Sequence, residues 1–193
     1  MSRTSAAPAI ALFAAWTCVA LAGGGAARAQ GAAPVRRLTV PQLEDRLVGL
    51  VERSFVRAAD AMPESKYAFV PTAGEFKGVR SFGNMVKHVA LSNYGMAAAL
   101  LKEAPPVNLD VESERTAKAD ILKFLTGSFA YLHKAVGRID GKNLTEPVQS
   151  PDSPTPLARL EVADRALWHC FDHYGQMVEY LRMNGIVPPA SRQ

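Results

Sequence analysis

The sequence predicts an all-α fold, a four-helix bundle, and three observations carry that expectation. Four stretches show apolar residues at helical spacing, each bounded by caps, prolines or glycines. No convincing strand, two-residue hairpin turn or glycine-rich phosphate loop interrupts them. The length left after an N-terminal export signal suits one domain with a proper core.

The first helix is expected over residues 39–62, with Leu43, Leu47, Leu50, Val51, Phe55, Ala58 and Met62 on its periodic face. Thr39 and Gln42 have capping-box spacing, Pro41 is harmless in the first turn, and Pro63 stops the helix. Residues 64–80 carry Pro71, Gly74 and Gly78 among Tyr67, Phe69 and Phe76, and so read as an ordered loop pinned by rings. Ser81 is a plausible cap for the second helix, residues 81–103, whose inward stripe is Met85, His88, Ser92, Met96 and Ala99. The third is expected over residues 114–140, ended by Gly141, and the proline-rich segment 142–156 reads as loop. The fourth spans residues 157–184, stopped by Gly185 and Pro188-Pro189, with a core stripe of Leu160, Ala163, Leu167, Phe171, Tyr174, Val178 and Leu181.

Ahead of these helices, Arg3 supplies a positive n-region, residues 9–22 are apolar but short for a membrane span, and Ala27-Arg28-Ala29 forms an A-x-A cleavage site. Residues 1–29 therefore read as a secretory signal peptide and residues 30–193 as the mature domain, secreted or periplasmic and without a stable membrane anchor after cleavage. Cleavage lowers the formal net charge from +4 to +2, because Arg3 and Arg28 leave. With no Lys/Arg run either, nucleic acid is not the expected partner. Cys18 leaves with the signal, so Cys170 stands alone and no intramolecular disulfide can form.

The chemistry lies in the histidines. His169 and His173 are one turn apart, and an i, i+4 spacing places two side chains roughly 40° apart on one helix face, where they can hold a single ion. His88 is the third arm. Three imidazoles suit a divalent metal, zinc first, with nickel, iron or manganese as alternatives, and leave a coordination position open to water or substrate. Cys170 follows His169 where an H-E-x-x-H protease has its glutamate, so no built-in general base is present. On the wheel Cys170 lies nearer the core, Asp172 points to solvent, and His133, beside Lys134, belongs to the surface.

The run Arg80-Ser81-Phe82-Gly83-Asn84-Met85-Val86-Lys87-His88, the run His169-Cys170-Phe171-Asp172-His173-Tyr174-Gly175-Gln176 and the tail from Tyr180 to Pro189 resemble the DinB/YfiT-like superfamily. In that family one histidine from the second helix and an H-x-x-x-H pair from the fourth bind a divalent metal. The resemblance implies an up-down-down-up bundle, frequent homodimers, and metal ligands at His88, His169 and His173. It also implies a hydrolase or transferase acting on an unknown small molecule, since some members transfer low-molecular-weight thiols and others are mycothiol-dependent isomerases. The export signal departs from the cytoplasmic members, whose thiol pools are cytosolic. The alternative class is a non-catalytic metal-binding or stress-related interaction protein, with the metal stapling the second helix to the fourth.

Overall fold

The structure is a computed structural model that describes residues 37–109 and 115–192. The signal-peptide reading of residues 1–29 lies outside them, and so does Glu114, where the third helix is expected to start; that helix begins at Lys118, because Ala117 is extended at its N-cap and Arg115 and Thr116 are not helical. Four long helices are formed: α1 (Val40–Ala61), α2 (Phe82–Leu101), α3 (Lys118–Val136) and α4 (Arg159–Met183). No helix among the described residues is long and apolar enough to cross a membrane.

The caps anticipated from sequence are present. The Thr39 backbone N–H donates to Gln42 Oε1 at 3.1 Å, closing one half of a capping box. Ser81 Oγ accepts from the Asn84 N–H at 3.3 Å, a contact of the kind worth about 1 kcal/mol to a helix. At the end of α4, Gly185 takes φ 72°, and the N–H groups of Ile186 and Gly185 reach back to the carbonyls of Leu181 and Arg182 at 2.9 Å each. That is a Schellman turn, and its left-handed residue favours glycine.

Two boundaries differ from expectation. α3 ends at Val136 rather than near Asp140, because the following backbone tightens into three-residue turns and Asp140 and Asn143 hydrogen-bond each other's backbone N–H groups. Such local side-chain bonds compete with helix continuation. Within the segment read as loop, a two-residue antiparallel ribbon forms between β1 (Pro147–Val148) and β2 (Leu157–Ala158), with Pro147 opposite Ala158. Proline is tolerated as the first residue of so short an edge.

Side-chain contacts fix the helix directions. His133, late in α3, bonds Asp45, early in α1, while Lys118, at the start of α3, meets Asp60, late in α1, at 3.2 Å, so α1 and α3 are antiparallel. Tyr131 and Lys134 of α3 share Glu103, just past α2, at 2.7 and 2.9 Å, which makes α2 and α3 parallel. Arg159, at the start of α4, donates to the Leu100 carbonyl at the end of α2, and Tyr180 donates to the Arg80 carbonyl just before α2, so α2 and α4 are antiparallel. The order is up-down-down-up.

α2 is the central helix, packed against both α3 and α4 and buried on most of its circumference. Its sequence allows this: Lys87 and His88 are its only basic side chains, it has no acid, and Ala90, Gly95, Ala97 and Ala98 let neighbours approach closely. Phe55, Phe82, Phe129, Met85, Leu125, Leu132 and Met177 fill the core around it. The least buried strip of α2 runs through Ser81, Asn84, His88, Ser92 and Ala99. The stripe read as inward therefore splits: Met85 and Met96 are core, whereas His88, Ser92 and Ala99 border the groove toward α4.

α4 shows a larger departure. Besides Arg159, its buried residues are Val162, Ala163, Ala166, Cys170, Met177, Tyr180 and Leu181, while Phe171 is 49% exposed. The core face is rotated by roughly 90° from the predicted stripe, at 100° per residue. Apolar residues cover more than half of this helix, so periodicity alone did not choose between two faces. The small side chains Ala163 and Ala166 decide it by permitting close packing.

Candidate metal centre

The rotation of α4 brings His169 and His173 against His88. Their ring centroids form a triangle of 5.0 Å (His88 to His169), 5.0 Å (His88 to His173) and 4.6 Å (His169 to His173). His169 Nε2 and His88 Nε2 are 3.1 Å apart, and one ligand nitrogen from each ring lies within 4.8 Å of those from the other two. Two nitrogens bound tetrahedrally to one zinc at 2.0–2.1 Å would sit roughly 3.3 Å apart. The His88 and His169 pair is thus at coordination distance, and the ligand nitrogen of His173 lies within 4.8 Å of both.

The local architecture explains the convergence. His88 lies on the open strip of α2, and His169 and His173 lie one turn apart on the edge of α4 that meets it. The helices are clamped on either side of the cluster. Beyond His173, Tyr180 bonds the Arg80 carbonyl at 3.2 Å and stacks edge-on with Phe69 at 5.6 Å. Between His169 and His173 in sequence, the buried Cys170 joins α4 to α2 through Asn93 at 3.3 Å, and before His169 the side chain of Arg159 anchors the far end.

All three imidazoles favour the neutral form that metal coordination requires. Burial is the main cause for each. His88 is lowered from the ordinary 6.5 to about 4 by desolvation, helped by Arg80 and by the other two histidines. His169 is also lowered to about 4, by burial and by His173, against the opposing pull of Asp172 and Asp152. His173 is lowered by burial, with Asp172 and Gln176 opposing.

His169 Nδ1 and His173 Nδ1 are buried without a hydrogen-bond partner among the described residues. In His169 this is the ring nitrogen opposite the one that meets His88, so an ion taken by Nε2 would leave Nδ1 to a water or another acceptor. Three imidazoles with one nitrogen each within 4.8 Å of the other two fit a divalent ion.

Neighbouring groups are assigned by their contacts. Cys170 is fully buried, donates to Asn93 Oδ1, and has its thiol pushed up to about 12 by burial, so it is an inert core thiol rather than a nucleophile. Asp172 is exposed and accepts from Gln176 Nε2 at 3.0 Å, as its wheel position anticipated. His133 is not simply a surface residue. It is partly buried, with Asp45 Oδ1 2.6 Å from its Nδ1 and Glu52 Oε2 3.3 Å from its Nε2, and it ties α3 to α1. Acids at Asp45 and Glu52, two turns apart on one face of a neighbouring helix, were the sequence signal for that role.

The sequence pattern of the DinB superfamily matches residues 49–177. The chain belongs to the DinB superfamily. Among solved structures, a DinB-like protein from Bacillus cereus ATCC 10987 superposes with a TM-score of 0.63 at 14% identity, covering 76% of this chain and 93% of that one. A conserved protein from Enterococcus faecalis gives a TM-score of 0.59 at 15% identity, covering 76% and 98%. At such identities these likenesses establish the DinB-like bundle and nothing about chemistry. No curated protein matches the chain.

Proposed function

We propose that this DinB-superfamily protein binds one divalent metal ion, zinc first, through His88, His169 and His173, and works as an exported metal-dependent hydrolase or transferase on a small molecule. The observation that carries the reading is the convergence of three imidazoles from two helices, with one ligand nitrogen of each within 4.8 Å of the other two and His169 Nε2 3.1 Å from His88 Nε2. When bound, a divalent ion supplies Lewis-acid polarisation of an oxygen or thiol ligand. The protein's own contribution is positional. α2 and α4 hold the three nitrogens on one rim of the bundle, burial keeps them unprotonated, and the open strip past Ser92 gives a ligand access. Export rests on the signal sequence in residues 1–29, and pairing with a second copy is supported by the exposed Leu43 and Leu50 of α1 and Trp168 and Phe171 of α4.

A structural metal is the second reading, favoured by one observation: the two described acids whose charge reaches His169 are already engaged, Asp172 with Gln176 and Asp152 with Arg165. The experiment that separates the two compares metal-depleted and zinc-reloaded protein for hydrolysis of small activated esters and for thiol transfer, alongside thermal unfolding. Turnover restored by metal and lost in His169→Ala supports the enzyme. A melting temperature that rises with metal, with no turnover on either substrate set, supports the staple.

A further inference from the structure

At the centre of the bundle, one side chain ties three helices together. Asn93 of α2, Ser128 of α3 and Cys170 of α4 are all fully buried. Asn93 Nδ2 donates to Ser128 Oγ at 3.3 Å, and the Cys170 thiol donates to Asn93 Oδ1 at 3.3 Å. The chain of bonds has one direction. Ser128 Oγ gives its proton to the Leu125 carbonyl at 2.7 Å, so toward Asn93 it can only accept, which turns Nδ2 to α3 and leaves Oδ1 for α4. A hydrogen-bonded amide in a largely apolar core adds little net stability, whereas an unpaired one is costly. Its consequence is specificity: it makes one alignment of the helices better than its neighbours, as a single buried Asn does in coiled coils.

The alignment of α2 with α4 matters most, because the three imidazoles come from those two helices. Small residues admit one face of α4 to the core, but apolar packing of the right volume does not by itself specify a unique arrangement. Each residue of slide along the axis carries the ring nitrogens about 1.5 Å, against a tolerance of about 0.2 Å in a metal-to-ligand distance. The Asn93 bond marks one register. Between Arg159 and Tyr180 the buried residues of α4 are Val162, Ala163, Ala166, Cys170 and Met177, and of these Cys170 alone has a side-chain donor. A slide of one turn in one direction sets Asn93 Oδ1 against Ala166, and of two turns in the other against Met177, with the amide oxygen unpaired in either. The marker is also close to what it aligns, since Cys170 follows His169 directly and Asn93 lies about 7.5 Å along α2 from His88.

We propose that Asn93 is a positioning residue for the histidine cluster: through Cys170 it fixes the register of α4 on α2 at which His88, His169 and His173 converge. The role rests on the metal reading for its purpose, but the alignment it sets exists without metal.

Asn93→Leu keeps the volume and removes both bonds. It strands neither neighbour, since Ser128 keeps the Leu125 carbonyl and a buried thiol behaves as a small hydrophobe. The metal-free melting temperature should therefore stay within about 4 °C of the parent's. Zinc affinity in chelator competition should nonetheless fall roughly tenfold to 100-fold, the range for lost outer-shell partners. In the metal-free protein, the nuclear Overhauser contact between His88 and His169, whose ring centroids are 5.0 Å apart, should weaken or split in this variant. Cys170→Ser keeps a donor and should hold zinc affinity within about threefold of the parent's, whereas Cys170→Ala should lose it as Asn93→Leu does. That pair carries the test if Asn93→Leu does not fold. The proposal is overturned if Asn93→Leu and Cys170→Ala keep both the ring contact and the parent's affinity. It is equally overturned if Cys170→Ser loses as much affinity as Cys170→Ala, which would make the sulfur itself a ligand. If the parent takes up no zinc while its ring contact still depends on Asn93, the metal reading fails and the positioning role stands.

Discussion

Two places in this bundle use histidine in opposite ways. At the boundary of α3 and α1, both ring nitrogens of His133 meet carboxylates, Asp45 at 2.6 Å and Glu52 at 3.3 Å. At the boundary of α2 and α4, three rings meet one another, and two of their buried nitrogens have no described partner. The first arrangement is complete as protein. The second is held within itself by a hydrogen bond between the Nε2 atoms of His169 and His88 at 3.1 Å, and its acceptor nitrogens are what a cation among the rings would take up. Identical side chains are thus sorted into a helix tie and a coordination set by the charge of what faces them.

The largest expected effect separates the two places directly. Alanine at His88, His169 or His173 should weaken zinc binding by about 100-fold or more in chelator competition, exceeding the 10–100-fold typical of losing an outer-shell partner. His133→Ala should leave zinc affinity unaltered. A comparable loss from His133→Ala would erase the distinction.

Stability should respond in the complementary pattern. His133→Ala removes two hydrogen bonds and leaves Asp45 and Glu52 without their shared partner, which should cost about 1–2 kcal/mol, or roughly 2–8 °C in melting temperature for a domain of this size. Thermal unfolding of the metal-free variant beside the metal-free parent checks it.

The pH dependence sharpens the contrast further. The sequence alone suggests that metal affinity fades as pH falls through the ordinary histidine value of 6.5, but burial lowers His88 and His169 to about 4. Between about 4 and 6.5 the unfolded chain binds more protons at these residues than the folded one, so the metal-free fold should lose stability as pH falls through that window. Zinc binding should correspondingly survive well below pH 6.5. NMR titration of the metal-free protein should find the His88 and His169 rings still neutral at pH 5.5, and rings titrating near 6.5 would contradict the burial argument.

The smallest effect concerns Asp172, whose charge acts on His169 and His173 from an exposed position. Asp172→Asn should change zinc affinity by less than about threefold. A drop of tenfold or more would instead identify a carboxylate that orients the imidazoles.

Much of this was legible in the chain. Thr39, Ser81 and Gly185 mark helix ends because capping is local chemistry, and the spacing of His169 and His173 reports a shared face for the same reason. The depth of each face was not legible. α4 carries Leu160, Leu167, Phe171 and Val178 on one side and Val162, Ala166, Cys170 and Met177 on another, and only packing against α1 and α2 selects the second. His88 was found by its place on the second helix, although it borders the groove instead of the interior. The ribbon at Pro147 and Leu157 left no pattern, being two residues long in a proline-rich stretch.

The central claim is that three imidazoles from two helices form one metal site, and zinc-edge anomalous diffraction from zinc-loaded crystals tests it most directly. The account predicts one strong peak per chain, about 2.0–2.2 Å from a ring nitrogen of His88, His169 and His173 alike. A peak at His133 between Asp45 and Glu52, or three imidazoles pointing apart around no peak at all, would contradict it.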